Sequence, residues 1–462
     1  MSTAGTIASS GKKDKVMDWE PGPLPKVDYG QGCYIFDTMG KRYLDGSAGP
    51  AVYALGHAHP EVNEAIKAQL DRIAHGYRYT FTSDPLEELT AMVAASCGGG
   101  LRNMTFVSSG SEAVESALKV ALQYQTAIGQ KSRRLFISRE RSWHGNTMGA
   151  TSISGFAARR EAFEGALMPS HLLSPANVYR PPAGYLEENA GKPIDPVAVG
   201  AYCARELERK ILELGADKVA AFVFEPVVGA AGGCVPAPPG YAKLVREICD
   251  KHGVLMVADE VMCGAGRTGT WRALAHDGVE PDIMAVAKGL AAGYVPLGVT
   301  IYHERLKGPM FAKDGGLLTG HTFTGHTLAC AAGLAVQRII ERDHLVEKVR
   351  VDGQYFEGLL RAAFGDHPHV GDIRGRGFFW AIEMVRDRAS KTPFDPALAL
   401  YQRLRDRCFA NGLICYPVGG NVDGKAGDIA IMSPPYIIDR MQLAEITDIM
   451  KTSLDQVLRE IG

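Results

Sequence analysis

The sequence has no apolar segment long enough to cross a membrane and no excess of charge of either sign. Spanning a bilayer takes roughly 18 or more consecutive apolar residues, and no run in the 462 residues approaches that length. The 50 Lys and Arg residues nearly balance the 52 Asp and Glu residues, giving a formal net charge of -2 at pH 7. We therefore expect neither a nucleic acid nor a membrane as a partner.

Paired cysteines and metal-binding patterns are also lacking. The nine cysteines are odd in number and scattered, without a CxxC pair or a cysteine-histidine cluster. This pattern predicts reduced thiols, a cytoplasmic location and no metal site. Segment 1–19 has no apolar core of the kind found in secretory signals, and we expect a mobile tail there.

Apolar runs alternate with amphipathic segments from about Asp84 onward, which is typical of an α/β fold with a doubly wound sheet. Segments 219–227 and 253–261 are near-continuous apolar runs, as in strands buried on both faces of a parallel sheet. Segment 331–364 has helical spacing throughout and predicts one long helical stretch, followed by a strand within 372–385.

This organisation predicts a large central domain and a smaller α/β domain assembled from both chain ends. We place the tail and part of the small domain in 1–70, the large domain in 71–330 and the rest of the small domain in 331–462.

Three ionisable residues stand where predicted strands end. Glu225 ends "AAFVFE", Asp259 ends "VLMVAD" and Lys288 ends "IMAVAK". Ligands of open parallel sheets bind at the carboxyl ends of the strands, so the three side chains point to one site. Each could instead simply cap its strand, because charged residues are common at strand ends.

A candidate anion site lies in "SSGSEAVESALKVA", where a strand runs through small residues into a helix. The first turn of a helix has free N–H groups and a positive dipole end, which favour a phosphate. Ser109, Gly110 and Ser111 occupy this turn. An ordinary N-cap of the Ser-x-x-Glu type is the alternative.

An enclosed lysine, an aspartate and a phosphate-binding turn together indicate pyridoxal 5'-phosphate (PLP). A lysine amine forms a Schiff base with the cofactor aldehyde, and an aspartate keeps the pyridine nitrogen protonated. Val261 and Trp143 are the candidates for packing on the two ring faces, and His144 follows in "SWHGNT". Without that neighbouring His-Gly, Trp143 could equally be a core tryptophan.

The sequence resembles the class III aminotransferases of the fold-type I PLP enzymes. The matching motifs are "LGHAHPEV", "SSGSEAVESALK", "SWHGNT", "FEPVVGAAG", "ADEVMCGAGRTG", "AKGLAAGYVPLG" and "HTFTGHTLACAAG". The resemblance covers most of the chain from about Asp45 and implies a mostly parallel sheet of the seven-stranded type. It also implies a homodimer with active sites at the interface, or a tetramer.

The resemblance assigns roles residue by residue. Lys288 carries the cofactor and shuttles a proton, while Asp259 pairs with the pyridinium nitrogen. Glu225 lies beside the cofactor, where it positions polar groups or gates a substrate-binding arginine. Thr322, in "HTFTGHTLAC", binds the phosphate of the neighbouring subunit.

The usual carboxylate-binding arginines are not evident at the two family positions. Ile431 and Tyr416 stand there instead. Ala51, Arg78 and Tyr416 are the candidates for substrate contacts. We expect an ω-amino acid or a primary amine as donor and pyruvate as acceptor, with 2-oxoglutarate as a second candidate acceptor.

Two other hypotheses about the function were considered. An aminomutase or a dialkylglycine-type decarboxylase would use the same cofactor motifs. A nucleotide-binding oxidoreductase or a binding-only protein is disfavoured, because no predicted strand runs directly into a G-x-G-x-x-G turn that is followed by a ribose-binding acid.

Overall fold

The computed structural model describes residues 24–461, so the tail expected in 1–19 lies outside the described residues. The strands are β1 (Val27–Gln31), β2 (Tyr34–Asp37), β3 (Arg42–Asp45), β4 (Leu101–Val107), β5 (Leu135–Arg139), β6 (His171–Leu173), β7 (Val219–Phe224), β8 (Val227–Val228), β9 (Val235–Pro236), β10 (Leu255–Asp259), β11 (Ile283–Val286), β12 (Gly298–His303), β13 (Val370–Arg376), β14 (Phe379–Met384), β15 (Leu413–Ile414), β16 (Tyr416–Gly419) and β17 (Asp428–Met432).

The α-helices range from single turns to 22 residues. They are α1 (Ala48–Ala51), α2 (Pro60–Arg72), α3 (Asp84–Cys97), α4 (Gly110–Ala127), α5 (Met148–Ser152), α6 (Ala157–Arg160), α7 (Ala183–Glu188), α8 (Pro196–Leu214), α9 (Tyr241–His252), α10 (Glu304–Asp314), α11 (Thr327–Arg342), α12 (Leu345–Phe364), α13 (Leu400–Ala410) and α14 (Arg440–Ile461). None of these helices of residues 24–461 is both long and apolar enough to span a bilayer.

The central sheet has seven strands in the order β4-β12-β11-β10-β7-β5-β6. All neighbours are parallel except β12, which runs antiparallel to both β11 and β4. Every residue of β7, β10 and β11 is buried, because apolar side chains from helices and loops cover both faces of the sheet. The prediction of a mostly parallel seven-stranded sheet is confirmed.

The register of the central strands brings their carboxyl ends together. Ala258 of β10 lies beside Phe224 of β7, and Asp259 lies beside Ala285 of β11. Residues that follow these three strands therefore emerge side by side at one edge of the sheet.

The remaining strands build a second layered region with its own core. An antiparallel sheet has the order β13-β14-β17-β16, and a smaller sheet has the order β1-β2-β3-β15. In the smaller sheet β15 pairs in parallel with β3, joining the two ends of the chain. One apolar core draws on both 33–62 and 336–461. The domain boundaries at 70 and 330 stay predictions.

Two sequence predictions of single elements were wrong in detail. The helical stretch in 331–364 is two helices, α11 and α12, separated where His344 adopts a left-handed backbone with φ of 52°. The strand in 372–385 is a hairpin of β13 and β14, turning at Gly377 with φ of 60°. In both cases one left-handed residue interrupts an otherwise continuous pattern.

Candidate active site

A cavity of about 520 Å³ opens at the carboxyl edge of the central sheet. Its walls come from segments that are far apart in sequence but meet where the strands end. The lining residues that the sequence predicted are Ser109, Gly110, Ser111, Trp143, His144, Glu225, Asp259, Val261 and Lys288. The structure therefore brings together all three strand-end residues, the turn before α4 and both candidate ring-packing residues.

Lys288 lies at the floor of the cavity on a strained backbone. Its φ of 45° is in the left-handed region, which costs a non-glycine residue about 1–2 kcal/mol. The Nζ atom donates to the carbonyl of Pro50 at 3.3 Å. Burial lowers the pKa of Lys288 to about 8, against the opposing pull of Asp259 and Glu225.

Asp259 ends β10 and is held by two hydrogen bonds. Its Oδ2 lies 2.7 Å from Nδ1 of His144, and its Oδ1 accepts from the amide of Val261 at 3.0 Å. Burial disfavours the imidazolium, but the hydrogen bond and charge of Asp259 outweigh it and raise the pKa of His144. The other ring nitrogen of His144, Nε2, is buried without a hydrogen-bond partner.

Glu225 is buried directly after β7 and bridges two loops. Its Oε1 accepts from the amide of Trp143 at 3.0 Å, and its Oε2 accepts from the amide of Gly229 at 2.8 Å. The pKa of Glu225 is raised to about 7, mainly by burial and in part by the neighbouring Asp259, with His144 opposing the shift. Glu225 thus fixes the backbone position of Trp143.

The turn before α4 is both an N-cap and an open anion site. The Ser109 hydroxyl accepts from the amide of Glu112 at 3.2 Å, and the Glu112 carboxylate accepts from the amide of Ser108 at 2.7 Å. The ordinary cap is therefore present. The amides of Gly110 and Ser111 have no intrahelical acceptor, because first-turn N–H groups of a helix lack one. They line the cavity and remain free for an anion.

Trp143 and Val261 form apolar walls of the cavity. Phe156 meets the Trp143 ring edge-on, with ring centroids 6.2 Å apart. The guanidinium of Arg159 stacks on the same indole at 4.7 Å. Trp143 is therefore a wall of the site rather than a purely internal core residue.

The other predicted site residues do not line this cavity within the single chain. Ala51 is buried beside it, and its neighbours Pro50 and Val52 are the ones that contact Lys288 or the cavity. Tyr416 lies on β16 and packs against a small apolar core. Their substrate contacts stay predictions.

Arg78 and Thr322 lie outside this cavity. The guanidinium of Arg78 donates to the Tyr79 hydroxyl at 2.8 Å and lines a different cavity. Thr322 is exposed in a turn before α11. Neither reaches the pocket without a second chain, so their roles also stay predictions.

Several lining residues were missed by the sequence analysis. They are Val52, Ser108, Gly145, Asn146, Met262, Ala287, Gly293, Tyr294, Val295, Pro296 and Leu297. Most belong to motifs already quoted, such as "AKGLAAGYVPLG", so position within the motif was the available signal. Within residues 24–461 no group of three or more His, Cys, Asp or Glu side chains is placed to hold a metal ion.

The donor set of the cavity fits PLP. The cavity offers an amine of lowered pKa at Lys288, a buried carboxylate at Asp259 and free helix amides at Gly110 and Ser111. These match the aldehyde, the ring nitrogen and the phosphate of the cofactor. A side chain at position 110 would also invade this space, because a Cβ built there lies 2.8 Å from Cγ1 of Val261.

The close approach at Gly110 gives a testable prediction. Gly110→Ala should push Val261 aside, destabilise the fold by about 1–3 kcal/mol and weaken PLP retention several-fold. Thermal unfolding and cofactor content after dialysis measure both effects. The matched control is Gly358→Ala on an exposed face of α12, where a Cβ meets nothing and about 0.5–1 kcal/mol of stabilisation is expected. Wild-type stability and PLP retention in Gly110→Ala would contradict the assignment.

The central sheet and the donor set at its carboxyl edge define a PLP-dependent enzyme of fold type I. The chain belongs to the class III aminotransferase family, because the family model "Aminotransferase class-III" matches residues 19–454. It is a transaminase, and its cofactor is PLP.

Known relatives are similar over nearly the whole chain. An uncharacterized aminotransferase of Schizosaccharomyces pombe is 38% identical over 432 residues, covering 93% of this chain and 92% of the relative. A putrescine–pyruvate aminotransferase of Pseudomonas aeruginosa is 33% identical, covering 92% of this chain and 89% of the relative. The crystal structure of a PLP-bound aminotransferase mutant from Vibrio fluvialis has a TM-score of 0.86 at 31% identity, covering 95% of this chain and 94% of that chain.

Proposed function

We propose that this aminotransferase moves an amino group from a primary amine or an ω-amino acid to pyruvate. The observation that carries the proposal is the convergence of Lys288, Asp259 and the α4 turn on one cavity. The donor and acceptor classes are supported by the similarity to the putrescine–pyruvate enzyme of P. aeruginosa. 2-Oxoglutarate is the second candidate acceptor.

We assign the roles within the cavity as follows. Asp259 would hold the protonated ring nitrogen, and His144 orients its carboxylate through the 2.7 Å contact. The amides of Gly110 and Ser111, with the Ser111 hydroxyl, would bind the phosphate. Trp143 and Val261 would confine the ring, and the backbone of Trp143 is fixed by Glu225.

When bound, the cofactor supplies an aldehyde that receives the amino group and a ring that delocalises electrons. Lys288 takes the proton from the substrate carbon that bears the amine and later returns one. It can accept that proton near neutral pH because burial favours its neutral form. Glu225 is placed to hold polar groups of the substrate, since its carboxyl lies in the same cavity.

The experiment that tests this function is a half-reaction screen. Purified holoenzyme is mixed with single donors, such as diamines, ω-amino acids and simple primary amines, and the visible spectrum is followed. Conversion to pyridoxamine phosphate, reversed by pyruvate, is expected. If no donor ever yields pyridoxamine phosphate, transamination of these donors is excluded.

A homodimer with shared active sites is part of the proposal. Five large apolar side chains are strongly exposed: Tyr77, Tyr79, Phe81, Leu318 and Phe323. The segments that carry them adjoin, because His75 and Phe323 have ring centroids 5.8 Å apart. A cluster of this kind is expected to be covered by a protein partner. Thr322 lies within it and would reach the phosphate of the second subunit.

Mixed dimers test the shared site. Thr322→Ala should weaken PLP retention about tenfold, because a hydrogen bond to a charged group is lost. In dimers that combine a Thr322→Ala chain with a Lys288→Ala chain, one site regains both groups, so about half of wild-type activity should return. Thr38→Ala, an exposed threonine in another turn, is the control. Retention equal to wild type, or no complementation, would remove Thr322 from the site.

A cytoplasmic location is also proposed. Its support is that all nine cysteines are buried free thiols, the pattern of proteins kept in a reducing compartment. Cell fractionation with an antibody against the chain tests it, and recovery from an oxidising compartment would contradict it.

A further inference from the structure

A substrate carboxylate in this cavity has no obvious cationic partner. Among the lining residues of the described chain, Lys288 is the one lysine or arginine, and its amine is needed for the reaction. Arg267 is fully buried and does not line the cavity. Its Nη1 donates to the carbonyls of Phe378 at 3.2 Å and Pro434 at 2.5 Å, while its Nε and Nη2 have no hydrogen-bond partner among the described residues. The two family positions for a carboxylate-binding arginine carry Ile431 and Tyr416.

Arg159 differs from Arg267 in being exposed and in stacking on a side chain that lines the cavity. Its guanidinium stacks on Trp143 at 4.7 Å and on Phe156 at 4.9 Å. The side chain is exposed, and among the described residues it has neither a hydrogen-bond acceptor nor a carboxylate within ion-pair distance. The adjacent Arg160 differs, because it is bound to the carbonyls of Ser152 and Ser154.

Arg159 is also electrostatically close to the reacting amine. It is one of two guanidinium groups, with Arg267, whose positive charge helps burial to lower the pKa of Lys288. Its guanidinium lies against the indole that lines the cavity rather than inside the cavity. A long, unpaired arginine in this position can turn over the mouth toward an anion.

Segment 419–427, a glycine-rich loop after Tyr416, packs on α6, the helix that carries Arg159. A Cβ built at Gly424 would lie 3.2 Å from Cβ of Ala157 in α6 and 3.4 Å from the guanidinium of Arg141. Arg141 in turn donates to the carbonyl of Val422 at 3.3 Å. The loop after Tyr416, where the usual arginine is absent, therefore packs against α6, the helix that carries Arg159.

We propose that Arg159 binds the carboxylate of the keto-acid acceptor, as a specificity residue stacked on Trp143, which lines the cavity. The inference rests on the proposed transaminase function and names the group that selects its carboxylate substrates. A guanidinium pairs with a carboxylate through two parallel hydrogen bonds, and the stacked indole fixes its plane.

The test compares acceptors with and without a carboxylate. The pyridoxamine-phosphate form of wild type, Arg159→Gln and Arg159→Lys is mixed with pyruvate or with propionaldehyde, and cofactor conversion is followed by absorbance. For Arg159→Gln, kcat/KM for pyruvate should fall about 10- to 100-fold, while that for propionaldehyde stays within twofold. Arg159→Lys should recover part of the loss. Arg209→Gln, an exposed arginine stacked on Tyr202 away from the cavity, is the matched control.

Binding supplies a second readout that does not need turnover. Propionate, an unreactive carboxylate, should bind the wild-type holoenzyme and bind Arg159→Gln about tenfold more weakly by calorimetry. Equal loss for both acceptors, or unchanged pyruvate kinetics and propionate binding, would overturn the role of Arg159. Failure of wild-type enzyme with every acceptor would instead refute the proposed function itself, so the two failures are distinguishable.

Discussion

Lys288→Ala is expected to lower transaminase activity by at least about 10⁴-fold and to abolish the protein-bound visible band of the cofactor. Lys288 would supply both the covalent attachment of the cofactor and the proton transfer. No other lysine or arginine lines the cavity within the described chain, so no neighbouring amine can replace it. Single-turnover absorbance with an amine donor measures the effect directly.

The fold should survive this substitution. Removing a desolvated amine from the floor of the cavity relieves a burial penalty, and its one hydrogen bond, to the Pro50 carbonyl, is long at 3.3 Å. The melting temperature without cofactor should therefore stay close to that of wild type. Lys67→Ala, which alters an exposed ion pair with Glu64, is the control and should leave activity unchanged. Residual activity above about one per cent in Lys288→Ala would contradict the assigned role.

Asp259→Asn is expected to cost about 10³-fold in rate with the fold intact. Asparagine has the same shape and can keep the contacts to His144 and Val261, but it lacks the charge that stabilises a protonated ring nitrogen. Cofactor should still bind, because the α4 turn and Lys288 are unchanged. The measurement is kcat for the donor half-reaction at saturating PLP.

Two further measurements test the same role of Asp259. The pKa of His144 should fall in Asp259→Asn, since the hydrogen bond and charge of Asp259 are what raise it. Asp259→Glu keeps the negative charge and should regain part of the lost rate. If Asp259→Asn turns over within tenfold of wild type, the carboxylate does not have the proposed function.

The strand-end residues were predictable because their geometry is local. A polar residue that ends a buried parallel strand must emerge at the ligand-binding edge, and this holds for Glu225, Asp259 and Lys288 alike. The N-cap and the free amides of the α4 turn follow from the same kind of short pattern. The site features that depend only on residues close together in sequence could therefore be predicted.

Contacts between distant segments could not be predicted in this way. The stacking of Arg159 on Trp143 depends on how α6 folds back over the strand edge, and no periodicity encodes it. The break at His344 and the hairpin at Gly377 depend on single left-handed residues inside continuous patterns. The predicted role of Thr322, binding the phosphate of a neighbouring subunit, depends on contacts between two chains.

Reduction of the holoenzyme with borohydride, followed by peptide mass spectrometry, is the most direct test of the account. We expect one peptide, the one containing Lys288, to gain a phosphopyridoxyl group, and prior incubation with an amine donor to prevent the labelling. A label on any other lysine, or an unlabelled Lys288 peptide in a protein that retains PLP, would contradict the proposed active site.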